Sequence, residues 1–194
     1  MPQHRRDTSA AGPAGNEQLT GMTGALLLIG FAVEGATLLA LRQLLVLHFV
    51  VGMLLIGPVA LKISSTAYRF IRYYAGSAPY VRKGPPAPLL RVLGPLVICT
   101  SVAVLATGVA LAVAGPHRGP WLLLHKASFV LWFGVMTVHV LAYARRLPRL
   151  LLPGRFRDAA AAVPGAGARW LLLASSLAAG ILVAAVTVHL SARW

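Results

Sequence analysis

Two histidines lie within one apolar stretch of the chain, "LLHKASFVLWFGVMTVHVLAYARR" at residues 123–146. His125 and His139 are 14 positions apart. At ~100° per residue this interval returns to nearly the same helix face, roughly 21 Å farther along the axis. An imidazole can ligate a metal or bond to a neighbouring helix. Because ionisable groups are costly in a membrane span, we expect both rings to face a bundle interior.

An earlier apolar stretch, "LVLHFVVGMLLIGPVALKISS", repeats the interval, since Lys62 follows His48 by 14 positions. Both stretches are expected to cross the membrane in the same direction. His48 and His125 each lie a few residues after the start of their stretch. We therefore predict that they share a depth and ligate one iron atom from opposite sides. Lys62 is predicted to lie at the depth of His139.

The composition that must position these residues is that of a membrane protein. The 194 residues are 58% hydrophobic and 11% charged, whereas soluble domains carry about 25% charged residues. The apolar residues form runs of about 20, the length that crosses ~30 Å of hydrocarbon. The net charge of +14 would suit a nucleic-acid partner in a soluble protein. Here the basic residues cluster between apolar runs, as they do in the cytoplasmic loops of membrane proteins. We therefore expect membrane lipid as a partner and no nucleic acid.

We predict an all-α fold, a polytopic transmembrane helical bundle over residues 19–194 behind a disordered cytoplasmic tail at 1–18, which is polar and aperiodic. The aromatic and basic residues of "AYRFIRYY" favour an amphipathic helix that extends the second span to Tyr74. The basic loops place the amino terminus in the cytoplasm and the carboxyl terminus outside, in a multi-pass protein of the cytoplasmic membrane. Five spans are expected, near 19–40, 43–68, 89–114, 121–144 and 169–190.

Three further residues surround the predicted iron site. Gly52, one turn after His48, would let a flat group approach the helix, although membrane glycines also serve helix packing. Glu34 is a carboxylate inside the first span. It either handles protons or bonds to Arg42 or to a histidine, since a membrane glutamate must be protonated or paired.

His189 ends the last apolar run, in "VTVHLSARW". Three roles stay open for it. It could replace one of the predicted ligands, bind a second metal together with them, or lie in the membrane interface.

With these residues the chain resembles small bacterial b-type cytochromes, the four-helix cytochrome b subunits of membrane dehydrogenases and hydrogenases. The resemblance rests on His48, on "HKASFVLWFGVMTVH" at 125–139 and on the basic loops, and spans roughly residues 20–190. It implies a four-helix core, non-covalent haem b, electron transfer across the membrane, and a redox enzyme or quinone as partner. Covalent haem is excluded because C-x-x-C-H is absent from the sequence.

The chain departs from that family at one depth. Di-haem members use four histidines at two levels, whereas this sequence offers His139 and Lys62 at the second level. One haem is therefore better supported than two, with His139 as the candidate iron ligand of the second. Lys62 could ligate iron, pair with a haem propionate, or extend to the headgroups. Other propionate partners are Arg42 at one end and Arg69 at the other.

The leading function is a cytochrome subunit that passes electrons to or from a catalytic partner in an oxidoreductase system, without transforming a substrate itself. The alternative is a haem-free membrane scaffold or assembly factor whose histidines make structural bonds between helices. A transporter is disfavoured because the spans show no repeat. The sequence also lacks a nucleophile–base set and a phosphate loop, so we expect no hydrolytic or phosphate-transfer chemistry.

Overall fold

The structure is a computed structural model that describes residues 12–85, 88–116, 119–143 and 163–194. Every regular element in these ranges is helical, which confirms the all-α prediction. Two 3-10 segments, Leu38–Ala40 and Val188–Arg193, accompany the α-helices. The helices are α1 Pro13–Thr37, α2 Leu41–Tyr74, α3 Ala78–Lys83, α4 Pro88–Ala114, α5 Trp121–Tyr143 and α6 Ala166–Thr187.

Four helical segments within the described ranges are long and apolar enough to cross a membrane. This identifies a multi-pass membrane protein. The segments are Pro13–Tyr74, Pro88–Ala114, Trp121–Tyr143 and Ala166–Arg193.

The first of these segments reverses its direction. Ala40, the last residue of the 3-10 segment, leaves the helical conformation, at φ −141° and ψ 49°. Beyond it, α2 runs back along α1. Asn16 at the start of α1 bonds to Ser65 late in α2, and Glu34 late in α1 meets His48 early in α2. The segment therefore contains two antiparallel helices, α1 and α2.

Helix α1 begins earlier than the sequence indicated. Its first residue is Pro13, and proline suits the first turn because its missing N–H would have no helical partner there. Gly15 and Asn16 are buried against the rest of the bundle. The predicted disordered tail is thus corrected over 13–18, which is helical, while residues 1–11 lie outside the described ranges. The predicted extension of the second span to Tyr74 is present in α2.

Helix α6 packs closely against α2 through glycine. A side chain on Gly57 would collide with the Ser176 carbonyl oxygen, and one on Gly180 would collide with the carbonyl oxygen of Leu54. Ser176, Gly180 and Ala184 are buried four residues apart on one face of α6. Small residues at this spacing let helix backbones approach in a membrane, where apolar side chains gain nothing by leaving lipid.

Helices α4 and α5 form a second antiparallel pair. Thr107 Oγ1 lies 2.9 Å from Ser128 Oγ, and Trp132 Nε1 donates to Ser101 Oγ at 3.0 Å. Trp132 also meets Phe31 of α1, with ring centroids 4.7 Å apart. Phe31 packs against an apolar core layer, and two clusters of polar side chains lie on either side of this layer. The core of that layer consists of Leu27, Leu55 and Val59.

Candidate functional site

The first polar end is the His48 cluster, which we define as Glu34, Thr37, His48, Thr107 and His125. The α1–α2 turn brings His48 against the end of α1, where its Nδ1 lies 2.9 Å from Thr37 Oγ1 and 3.1 Å from Glu34 Oε1. Thr37 donates its own proton to the Glu34 backbone carbonyl at 2.5 Å. The Thr37 oxygen therefore accepts a proton from His48 Nδ1, and Nε2 keeps a lone pair in the neutral ring.

His125 is held in the same way by the neighbouring helix α4. Its Nδ1 lies 3.2 Å from the Val104 carbonyl oxygen and 3.3 Å from Thr107 Oγ1. A carbonyl can only accept, so Nδ1 carries the proton and Nε2 is left as the basic nitrogen. Gly108 makes room for the ring, because a Cβ at this position would lie 3.1 Å from His125 Cε1.

The two rings come from helices α2 and α5 and lie close enough to interact electrostatically. Within the described ranges, all hydrogen bonds of both rings run through Nδ1. Histidines that ligate metals usually donate this second nitrogen to a carboxylate or carbonyl, which fixes the tautomer and orients the ring. The donor set therefore fits a group that takes two neutral imidazoles.

The second polar end is the Lys62 cluster, which we define as Asn16, Thr20, Lys62, Ser65 and His139. Lys62 Nζ donates to the Thr20 carbonyl oxygen at 2.5 Å. The amine lies beside Gly24, whose missing Cβ would be 2.9 Å away. The Lys62 side chain thus turns toward α1, and a glycine gives it room.

His139 lies at this same end and interacts electrostatically with Lys62. Its ring packs against Tyr143, with centroids 5.0 Å apart. Its Nδ1 is buried and has no hydrogen-bond partner among the residues that the structure describes. The 14-residue interval on α5 therefore connects two different environments.

The structure changes the interpretation of two sequence predictions. The space beside Gly52 is filled by the Glu34 carboxyl group, because a Cβ at Gly52 would lie 3.1 Å from Glu34 Oε1. The prediction that a flat group approaches the helix at Gly52 is thus corrected, since α1 packs there. Glu34 bonds to His48, the histidine alternative, while Arg42 is exposed and has no ion pair with another described residue.

Two further predicted site residues lie away from the His48 cluster. His189 is exposed in the 3-10 segment at the end of α6 and makes no hydrogen bond to another described residue. Arg69 lies near the end of α2, where it interacts electrostatically with Tyr80 of α3. Neither side chain takes part in the contacts that hold the two imidazoles.

Sequence reasoning missed the residues that orient the rings. Thr37 and Thr107 hold the two imidazoles, and Gly108 clears space for the second one. A partial signal existed at the Thr107–Gly108 pair, which lies within two helical turns of the end of its apolar run and so on the same side of the membrane as His125. Thr37 gave no comparable signal, because its contact depends on the turn between α1 and α2.

No cluster of three or more histidine, cysteine, aspartate or glutamate side chains that could hold a metal ion occurs in the part of the chain that the structure describes. In the His48 cluster the Glu34 carboxyl group is bonded to His48, and the Nε2 atoms of the two imidazoles remain. A cofactor that brings its own equatorial ligands needs no more than two protein ligands. Comparison of the chain with family models, curated proteins and solved structures found no match.

Proposed function

We propose that the protein is an integral membrane electron-transfer protein that binds one haem b through His48 and His125. One observation carries this proposal. Imidazoles from two helices reach one level of the bundle, and the Nδ1 atom of each is engaged, so that Nε2 remains for a ligand. Such a pair would hold the iron of a b-type haem, which would supply reversible one-electron exchange.

The surrounding residues would orient the ligands and set their basicity. Thr37 and Glu34 hold the tautomer of His48, while the Val104 carbonyl and Thr107 hold that of His125. Hydrogen bonds to the second nitrogen raise the basicity of a metal-bound imidazole, and the polarity around the site tunes the reduction potential. We propose that the chain thereby conducts electrons for a redox enzyme or quinone partner.

We further propose five membrane spans, α1, α2, α4, α5 and α6, in the cytoplasmic membrane. The antiparallel α1–α2 hairpin supports this number. By the positive-inside rule, the Lys62 end faces the cytoplasm and the carboxyl terminus lies outside. Basic side chains at the Lys62 end include Arg69, Arg72, Arg82, Lys83, Arg91 and Arg169, against Arg42, Lys126 and Arg193 among the described residues of the opposite end.

The alternative function is a haem-free membrane scaffold or assembly factor with structural histidines. A specific observation favours it as the second candidate. His48 bonds from α2 to α1, and His125 bonds from α5 to α4, so both rings already connect neighbouring helices. Interhelical bonds of this kind contribute about 0.6 kcal/mol each on average in membrane proteins.

Spectroscopy of the purified protein separates the two functions. We expect protein from haem-supplied cells, in mild detergent, to show b-type bands in reduced-minus-oxidised spectra and one haem per chain in a pyridine haemochrome assay. His48→Gly and His125→Gly should each lose the haem, and added imidazole should restore it because the free ring can occupy the vacated ligand position. His189→Ala is the matched control and should keep one haem.

A colourless wild-type protein that is folded and monodisperse would support the scaffold. A haem content unchanged by both glycine variants would also reject the proposed ligands. Restoration by imidazole distinguishes loss of a ligand from loss of the fold, since a misfolded variant would not recover.

A further inference from the structure

The Lys62 cluster contains a cation without a counter-ion in the described ranges. The described ranges contain only two of the four acidic residues of the chain. Both are engaged elsewhere, Glu17 with Lys83 and Glu34 with His48. An ammonium group inside a bundle is costly unless a negative charge accompanies it. Among the residues that the structure describes, the Lys62 cluster therefore lacks a negative group.

Within the described ranges, the Lys62 ammonium also has more protons than hydrogen-bond partners. The Lys62 ammonium has three protons, and the Thr20 carbonyl oxygen accepts one of them. The nearby His139 offers a buried Nδ1 that has no partner among the described residues. In the tautomer that carries its proton on Nδ1, His139 donates as Lys62 does, and a ligand that satisfies both side chains then presents at least two acceptor oxygens. A phosphate group with two unesterified oxygens meets this requirement and supplies the missing charge.

Polar side chains continue from the end of the bundle to Lys62, and both Lys62 and His139 are partly exposed. Asn16 Nδ2 donates to the Ser65 carbonyl oxygen, and Thr20 Oγ1 donates to Ser65 Oγ, both at 3.0 Å. These bonds line the α1–α2 contact between the start of α1 and Lys62. Lys62 itself lies seven positions before Arg69, which is roughly 10 Å along a helix. A lipid headgroup can reach this depth beside polar atoms.

The charge at this end of the bundle selects an acidic lipid. Arg72 lies over the ring of Tyr80, with 6.0 Å between the guanidinium carbon and the ring centroid. Tyrosine and arginine are typical of the membrane interface, and basic pockets between spans on the cytoplasmic side bind anionic headgroups. We propose that Lys62 and His139 bind the phosphate group of an acidic phospholipid between the α1–α2 hairpin and α5.

This proposal is independent of the haem site at the opposite end. The group that Lys62 and His139 would bind is a phosphate anion, which could come from a lipid headgroup or from free phosphate. A carboxylate of a second haem is the rival occupant. Native mass spectrometry and haem quantification distinguish these sources.

The experiment compares the intact protein with three variants in neutral detergent after delipidation. Phosphatidylglycerol or phosphatidylcholine is added, and native mass spectrometry counts the lipids retained. We expect the wild type to retain one phosphatidylglycerol and no phosphatidylcholine. Lys62→Met should reduce this retention at least tenfold, and His139→Phe should reduce it several-fold. Lys126→Met, which changes an exposed lysine on α5, is the matched control and should behave as wild type.

Equal phosphatidylglycerol retention by wild type, Lys62→Met and His139→Phe would overturn the proposal, as would an equal loss in Lys126→Met. Two haems per chain, falling to one in Lys62→Met, would overturn it in favour of a propionate. A second measurement follows thermal unfolding with sodium phosphate against sodium chloride at equal ionic strength. Stabilisation by phosphate that requires Lys62 would support the anion site and identify free phosphate as an occupant. If Lys62→Met does not fold, His139→Phe carries the test alone.

Discussion

The two ends of the bundle use the histidines of α5 differently. At the His48 cluster, hydrogen bonds to Nδ1 of His48 and His125 fix both tautomers. At the Lys62 cluster, Nδ1 of His139 is buried without a partner in the described ranges, beside an ammonium that has no described carboxylate. The first end is thus arranged around neutral rings, and the second around an incompletely matched cation. Equal spacing along a helix does not imply equal chemistry.

An apolar layer separates these ends. Trp132 lies midway between His125 and His139 along α5, seven positions from each, and its ring meets Phe31 of α1. Seven positions correspond to roughly 10 Å along the helix axis. Because the layer holds packed apolar side chains, a change at one end should leave the other end intact.

The largest expected difference in stability between the two ends comes from substituting one residue in each cluster. Glu34→Leu removes one of the two bonds of a partly buried imidazole and should lower the free energy of unfolding by about 1 kcal/mol. Lys62→Met removes a charge that has no described counter-ion, so it should leave stability unchanged or raise it by about 1 kcal/mol when acidic lipid is absent. Thermal unfolding in neutral detergent measures both.

Shifts of the unfolding temperature that are opposite or clearly unequal in the two variants would support the difference between the ends. If Lys62→Met destabilised the protein as much as Glu34→Leu, the lysine would be fully matched inside the bundle and the comparison would fail. Lys126→Met controls for the removal of a lysine as such, since this side chain is exposed.

The sequence predicted features that depend on counting along a helix. The apolar runs indicated the helices, and the positions of His48 and His125 within their runs indicated a common level. It could not predict which helix faces each side chain. The space beside Gly52 is filled by Glu34, and this contact depends on how α1 packs on α2. The α2–α6 contact at Gly180 likewise needs the position of two backbones, and no single run of residues contains that information.

A smaller difference in stability is expected when alanine replaces the glycine that makes room for a side chain in each cluster. Gly108→Ala would press a Cβ against the His125 ring at 3.1 Å. This ring is rigid and hydrogen-bonded, so we expect a loss of about 1 kcal/mol and weaker haem retention. Gly24→Ala meets the flexible end of Lys62, which can move aside. We therefore expect little loss of stability and weaker phosphatidylglycerol retention.

Thermal unfolding, the haem ratio and the lipid count together check these outcomes. Gly94→Ala is the control, because nothing lies within 4 Å of its added Cβ, and alanine favours a helix by up to about 1 kcal/mol. Loss of haem in Gly24→Ala, or loss of lipid in Gly108→Ala, would show that the two ends are coupled.

The smallest expected effect lies in the layer between the ends. Ser101→Ala removes the acceptor of the Trp132 indole N–H, which is bonded at 3.0 Å, and should lower stability by about 0.6 kcal/mol, as for an average interhelical bond. The Phe31 ring, which is tilted against Trp132, should still hold the Trp132 ring in place, so haem and lipid retention should both match wild type. Parallel losses of both ligands would instead mean that this bond sets the position of α5 against the hairpin. The two clusters would then share one mechanical support, because α5 carries a residue of each.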